Sequence, residues 1–196
     1  MLIHDSTKLC IAISYTTNTL LDLQTFLKQE HNISLGSITP EEFLDQSSAD
    51  EQYINLVVQD FDLREKVSKK LDHLQAKRFS FIHPTTFYGA ESVAGGIFIY
   101  PNCTIYPSTF LDKDIIVHSL TAIAHNATVG QGTVISGATV IAGSSQIGTF
   151  CFFGLRSTVI DNLCICDHVR VAVGALLTKN ISIPGMYVGA PARKVA

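Results

Sequence analysis

The sequence predicts an α/β unit over residues 1–80, followed by a parallel β-helix of about six coils over residues 81–196. Three observations point there. Short apolar runs alternate with helix-period segments before residue 80. From Phe81 onward, a large apolar residue recurs at every sixth position. Most of these are followed, four places later, by a small or β-branched residue. Neither the 3.6-residue helical period nor the two-residue strand period produces that spacing.

In the first unit, the run Leu9-Cys10-Ile11-Ala12-Ile13-Ser14 is a buried strand in composition. The following turn, Ser14-Tyr15-Thr16-Thr17-Asn18-Thr19, is polar, glycine-free and rich in N-cap residues. Leu20, Leu21, Leu23, Phe26 and Leu27 then recur at helical spacing. Residues Ile33 to Ile38 predict a second strand. Thr39 and Pro40 predict a helix start, with Thr39 as N-cap and Pro40 in the first turn. A third strand is expected over Ile54 to Val58. Leu63, Val67, Leu71 and Leu74 share one face of an amphipathic helix over residues 62–74, with charges opposite. Phe79 to Ile82 is expected as the last strand. Alternation of this kind assembles as a small parallel α/β unit.

In the second unit, stepping by six from Phe81 through Phe87, Val93 and Ile99 to Ile183 gives eighteen positions, all Ile, Val, Leu or Phe. The residues four places on include Thr109, Thr121, Thr133, Thr139, Ser145 and Ser157. This pattern describes a triangular prism. Each short strand sends one large side chain inward, a corner follows, and three hexads close an 18-residue coil. Inward side chains then stack at the strand spacing of about 4.8 Å. Each buried one contributes roughly 1.5–3 kcal/mol before entropy. Small fifth-position residues are expected to let the chain turn tightly. A β-sandwich would alternate in twos with turns of varying length.

Composition narrows the function. The chain is 46% apolar and 16% charged, with a net charge of −3 and no Lys/Arg block, so nucleic acid is not an expected partner. The start, Met1-Leu2-Ile3-His4-Asp5, lacks a basic segment leading into an apolar run. No stretch approaches the ~20 apolar residues of a membrane span. A cytoplasmic protein is expected. Its five cysteines, Cys10, Cys103, Cys151, Cys164 and Cys166, are odd in number and form no C-x-x-C, which predicts reduced thiols.

Three segments add specificity: Ile82-His83-Pro84-Thr85 opening the coils, Ala124-His125-Asn126-Ala127-Thr128-Val129-Gly130 in their middle, and Tyr187-Val188-Gly189-Ala190-Pro191-Ala192-Arg193 at their end. In this order the chain resembles the hexapeptide-repeat acyltransferases. Within them it is similar to the family of sialic acid O-acetyltransferases and bacillosamine-type amino-sugar N-acetyltransferases. The resemblance implies a left-handed β-helix, although right-handed crossovers are the general rule. It implies a homotrimer, acetyl-CoA as co-substrate in the groove between neighbouring prisms, and no metal. A sugar or nucleotide-linked sugar would sit between the first domain of one subunit and the coil of another. Residues 1–80 would be a degenerate Rossmann-like substrate domain. The implied activity is N-acetylation of an amino sugar in surface glycan biosynthesis, with O-acetylation of the sialic acid type as the alternative.

The residues can carry that chemistry. His125 is third in the hexad Ile123-Ala124-His125-Asn126-Ala127-Thr128, a phase that points away from the bore. An imidazole titrates near neutrality and can take the proton that an attacking amine or hydroxyl must lose. Direct attack on the thioester needs no covalent enzyme intermediate. Gly143, 18 residues on, shares that corner. Its N–H is expected to bond the thioester oxygen, because glycine lets the cofactor approach the backbone. Asn126 stands where many relatives have an acidic residue, and an amide orients a ring without stabilising its charge. Asp161 lies two coils from His125. Thr178, Lys179 and Arg193 are expected along the cofactor. Ser14, Tyr15 and Thr16 are expected at the sugar, in a turn lacking the family's usual glycines, and His118 close to it.

Two other readings use the same prism. A γ-carbonic anhydrase-like zinc enzyme needs three histidines across a subunit boundary. His83, His118, His125 and His168 are available, but His118 and His125 are seven apart, which does not fit that family's spacing. A non-catalytic scaffold would account for Asn126 and the glycine-free turn.

Overall fold

The computed structural model of the protein describes residues 10–14, 24, 27, 28, 34–56, 60–90 and 92–195. It divides into two compact units between Ser80 and Phe81.

In the first unit, β1 (Cys10–Ile13), β2 (Leu35–Ile38), β3 (Gln52–Asn55) and β4 (Lys77–Arg78) form one parallel sheet in the order β2-β1-β3-β4. Helix α1 (Pro40–Leu44) begins with a capping box, Thr39 accepting from the Glu42 N–H while the Glu42 carboxylate accepts from the Thr39 N–H. Helix α2 (Phe61–His73) is capped by Asp60, whose Oδ1 accepts from the Leu63 N–H at 2.9 Å. Ile13, Phe43, Tyr53, Val67 and Leu71 make the core of this unit. Of the helix expected over residues 20–27, Gln24 and Leu27 are helical and the other positions lie outside the described residues. Val57 and Val58 of the expected third strand also lie outside them.

Two expectations change. Lys77–Arg78, rather than Phe79–Ile82, closes this sheet, and Phe81–Ile82 opens the next unit. The charges of α2 do not all lie opposite its apolar face: Arg64 is fully buried, and its Nη1 donates to the Asn55 carbonyl at 2.8 Å. Asn55 Nδ2 donates back to the Arg64 carbonyl at 2.9 Å. Reciprocal bonding of this kind offsets the cost of burying a guanidinium.

The second unit is a parallel β-helix built almost wholly from two-residue strands. They form three sheets of five, eight and six strands. Ile99, Ile105, Leu111, Val117, Ile123 and Val129 begin the inward rungs, all at most 1% exposed, and the stack continues to Leu177. The six-residue phase slips at both ends. Ile82 pairs with Ile99, and Tyr88 with Ile105, each 17 residues apart, so Ile82 and Tyr88 take the inward places assigned by phase to Phe81 and Phe87. Phe87 is 58% exposed. At the far end Ile181 bridges Ile165 and is buried, whereas Ile183 is exposed. The slip costs something at Tyr88, whose buried hydroxyl has no partner among the described residues and is pushed up to about 12 by burial.

The corners also differ from expectation. The turn is made by the fourth hexad residue, which is left-handed, with φ between 51 and 65° at eleven non-glycine positions from Asn102 to His168. Fifth-position residues point inward instead, and their hydroxyls bond carbonyls 15 residues ahead: Thr121 to Ser136 at 3.2 Å, Thr139 to Gly154 at 3.1 Å and Ser145 to Ile160 at 3.0 Å. Small polar residues recur there because the bore corner has room for one hydroxyl and a carbonyl to satisfy it. None of the five cysteines is in a disulfide; burial pushes the Cys151 thiol up to about 12 and that of Cys10 to about 11. The strands Gly185–Val188 and Arg193–Lys194 close the C-terminal edge as an antiparallel pair. No helix of the described residues is long and apolar enough to cross a membrane.

Candidate active site

His125 stands exposed on the corner that follows the six-stranded sheet. Two neighbours fix its surroundings. Asn126 makes the left-handed turn at φ 58°, a conformation that favours Asn and Asp, so the corner itself accounts for an amide here. Its Nδ2 lies 3.1 Å from His125 Nδ1. When that amide donates, the proton of a neutral ring sits on Nε2, leaving Nε2 a donor. Turned by 180°, the amide offers its oxygen to an Nδ1–H, and the Nε2 lone pair is free to accept a proton.

Gly143, one coil on, lies buried beneath the ring. A Cβ at this position would stand 3.0 Å from His125 Cε1 and 3.2 Å from Nε2. The glycine therefore makes space for the imidazole. The backbone ladder ties the column together, Ser144 N–H donating to the His125 carbonyl at 3.0 Å and Asn162 N–H to the Gly143 carbonyl at 3.0 Å. The Gly143 N–H, expected to be open, donates instead to Asp161 Oδ1 at 2.9 Å. Asp161 is thus one coil from Gly143 and bonded to it, a role that its two-coil distance from His125 concealed.

The other expected site residues are dispersed. Lys179 is exposed on the same corner series, one coil beyond Asp161, with half-buried Thr178 beside it. Arg193 is exposed in the last strand, Arg193–Lys194. His118 directly follows the Ile116–Val117 strand of the eight-stranded sheet rather than standing on the His125 corner, and stacks on Tyr100 with ring centres 4.8 Å apart. Tyr100 was not singled out by sequence; its recurrence 18 residues before His118 was the available signal. Ser14 follows β1 directly, at the carboxyl end of the sheet. Tyr15 and Thr16 lie outside the described residues. Among the described residues no three His, Cys, Asp or Glu side chains gather where a metal ion could be held.

No family model matches the sequence. Two curated UDP-3-O-acylglucosamine N-acyltransferases, from Janthinobacterium sp. (strain Marseille) and Herminiimonas arsenicoxydans, are each 31% identical over 105 residues, 52% of this chain. The chain spans about 30% of the length of these relatives. Solved structures match over nearly the whole chain. The acetyltransferase domain of PglB from Neisseria gonorrhoeae covers 96% of it, and 100% of that domain is covered in turn, at a TM-score of 0.81 and 16% identity. A histidine-to-asparagine variant of perosamine N-acetyltransferase from Caulobacter crescentus, in complex with CoA and GDP-perosamine, covers 95% of this chain and is itself 96% covered, at a TM-score of 0.77 and 15% identity. WeeI from Acinetobacter baumannii covers 96%, and is 99% covered, at a TM-score of 0.68 and 13% identity. An α/β unit leading into a left-handed parallel β-helix is the fold this chain shares with the hexapeptide-repeat N-acetyltransferases.

Proposed function

We propose that the protein transfers the acetyl group of acetyl-CoA to the amine of an amino sugar, with His125 as general base. The observation that carries this is the His125 corner: an exposed imidazole over a glycine, its Nδ1 in contact with an amide. The fold match supports it, because the neighbours include an N-acetyltransferase with CoA and GDP-perosamine and the PglB domain with acetyl-CoA. The amine attacks the thioester carbon and gives its proton to Nε2 as the tetrahedral centre forms. That centre's oxyanion is met by the Gly143 N–H, and the CoA sulfur leaves as a thiolate of ordinary pKa about 8.5. Asn126 orients the ring through its oxygen without lending it charge.

Thr178, Lys179 and Arg193 would line the cofactor, their cations facing its phosphates. Ser14, with Tyr15 and Thr16, would meet the sugar or its nucleotide, since ligands of open parallel sheets bind at the carboxyl ends of strands. His118 would offer its ring to the sugar. The enzyme would work in the cytoplasm on precursors of surface glycan. Thiol release from acetyl-CoA, measured against a panel of free and nucleotide-linked amino sugars, tests the proposal. His125→Ala is expected to lose at least about a hundredfold in rate, the low end of general-base contributions. An undiminished rate would remove His125 from the mechanism.

A homotrimer completes the reading. The corner after the eight-stranded sheet carries Leu120, Leu155 and Val173, 64%, 52% and 69% exposed, as an apolar ridge along the prism. Such a ridge is costly in water and suits burial against a second copy of the chain. Leu155→Asp combined with Val173→Asp is expected to convert the trimer to monomers in light scattering. A wild-type monomer, or a doubly substituted trimer, would contradict this.

A further inference from the structure

At third hexad residues such as Ser119, His125, Gly137, Gly143, Thr149, Leu155 and Asp161 the N–H has no backbone acceptor among the described residues. The corner geometry leaves this donor over. Two of these donors are taken by an aspartate standing at the same hexad position one coil later. Asp167 Oδ1 accepts from the Thr149 N–H at 2.6 Å, and Asp161 Oδ1 from the Gly143 N–H at 2.9 Å. Thr149 follows the five-stranded sheet, on a different corner from His125. Gly143 is the residue beneath the imidazole.

We infer that Asp161 is a displaceable plug on the amide that receives the acyl oxygen, and so sets the affinity for acetyl-CoA relative to CoA. The inference rests on the acetyl-transfer reading. One N–H cannot serve both acceptors in full, and a carboxylate held beside a developing oxyanion would repel it. The plug must therefore leave before the thioester oxygen arrives. Asp161 is exposed, so its carboxylate can turn into water and regain its hydration there. CoA has no acyl oxygen and does not compete for the amide. The plug thus weakens the co-substrate against its own product.

Calorimetric titration with acetyl-CoA and with CoA tests this on four proteins: wild type, Asp161→Ala, Asp161→Asn and Asp167→Ala. Asp161→Ala frees the amide, and the preference for acetyl-CoA over CoA should rise about three- to tenfold, the span of one net hydrogen bond. The kcat/KM for acetyl-CoA should rise in parallel. Asp161→Asn removes the charge but keeps an oxygen acceptor of the same shape, and should leave the preference within about twofold. Asp167→Ala removes the equivalent cap on another corner and should also leave it unchanged. Asp161→Ser provides a second unplugged variant if the alanine protein does not fold. An unchanged preference in the unplugged variant would overturn the inference and reduce Asp161 to a corner cap like Asp167. Wild-type protein that binds neither CoA nor acetyl-CoA would overturn the acetyl-transfer reading, and this inference with it.

Discussion

Gly143→Val is expected to slow acetyl transfer by at least about a hundredfold while the β-helix stays folded. The reason is a distance. A Cβ on residue 143 would come within 3.0 Å of His125 Cε1 and 3.2 Å of Nε2, and valine adds two methyl groups beyond it. The imidazole is the freer partner, because His125 is exposed whereas the backbone of residue 143 is held by the coils on either side. The ring would therefore be pushed outward. A displacement of about 1 Å in a reacting group can cost a hundredfold. The backbone itself tolerates the change, since Gly143 lies outside the left-handed region that demands glycine. Alanine should fall between the two, needing only a few tenths of an ångström. Thermal unfolding midpoints separate the effect from misfolding, and a fully active valine variant with a wild-type midpoint would mean that the reacting imidazole does not lie over this glycine.

The His125 corner of the candidate site was legible because the hexad phase fixes where each residue of a coil faces. Residue 125 being third in its hexad was enough to put His125 on a corner and Gly143 below it. The Asp161 bond was not legible in the same way. Phase brings Asp161 to the Gly143 coil, but whether its carboxylate turns in to the spare N–H depends on a rotamer. The rungs show a similar limit. Between Ile99 and Leu177 the rungs Ile123, Val129 and Ile147 are flanked on both sides by small or polar residues, and they fix the phase for the coils around them. At Phe81-Ile82 and Phe87-Tyr88 two large apolar residues are adjacent, so composition permits either phase and strand pairing decides between them. Ile181 and Ile183 are the same ambiguity at the other end. The corner residues Leu120, Phe150 and Arg156 carry no left-handed signature, and only the closure of the coil imposes φ near 60° on them.

That ambiguity yields a measurable contrast, because Phe153 and Phe87 stand at one phase of the sequence and in opposite environments. Phe153 is wholly buried, stacked between Ile135 and Val171 on the same sheet. Phe153→Ala removes most of a ring from a closed bore. The coils above and below are pinned by ladder bonds, such as Ser136 N–H to the Phe153 carbonyl at 2.8 Å and Gly154 N–H to the Val171 carbonyl at 2.8 Å, so they cannot collapse into the space. The expected loss is about 3–5 kcal/mol, the transfer of the ring plus the cavity it leaves. Phe87 is 58% exposed, its ring 6.4 Å from that of Tyr106, and Phe87→Ala should cost no more than about 1 kcal/mol. Urea unfolding of the two variants reads the difference directly. Equal losses would mean that Phe87, not Tyr88, occupies the first coil's rung, and that the bore keeps one unbroken six-residue phase from residue 81.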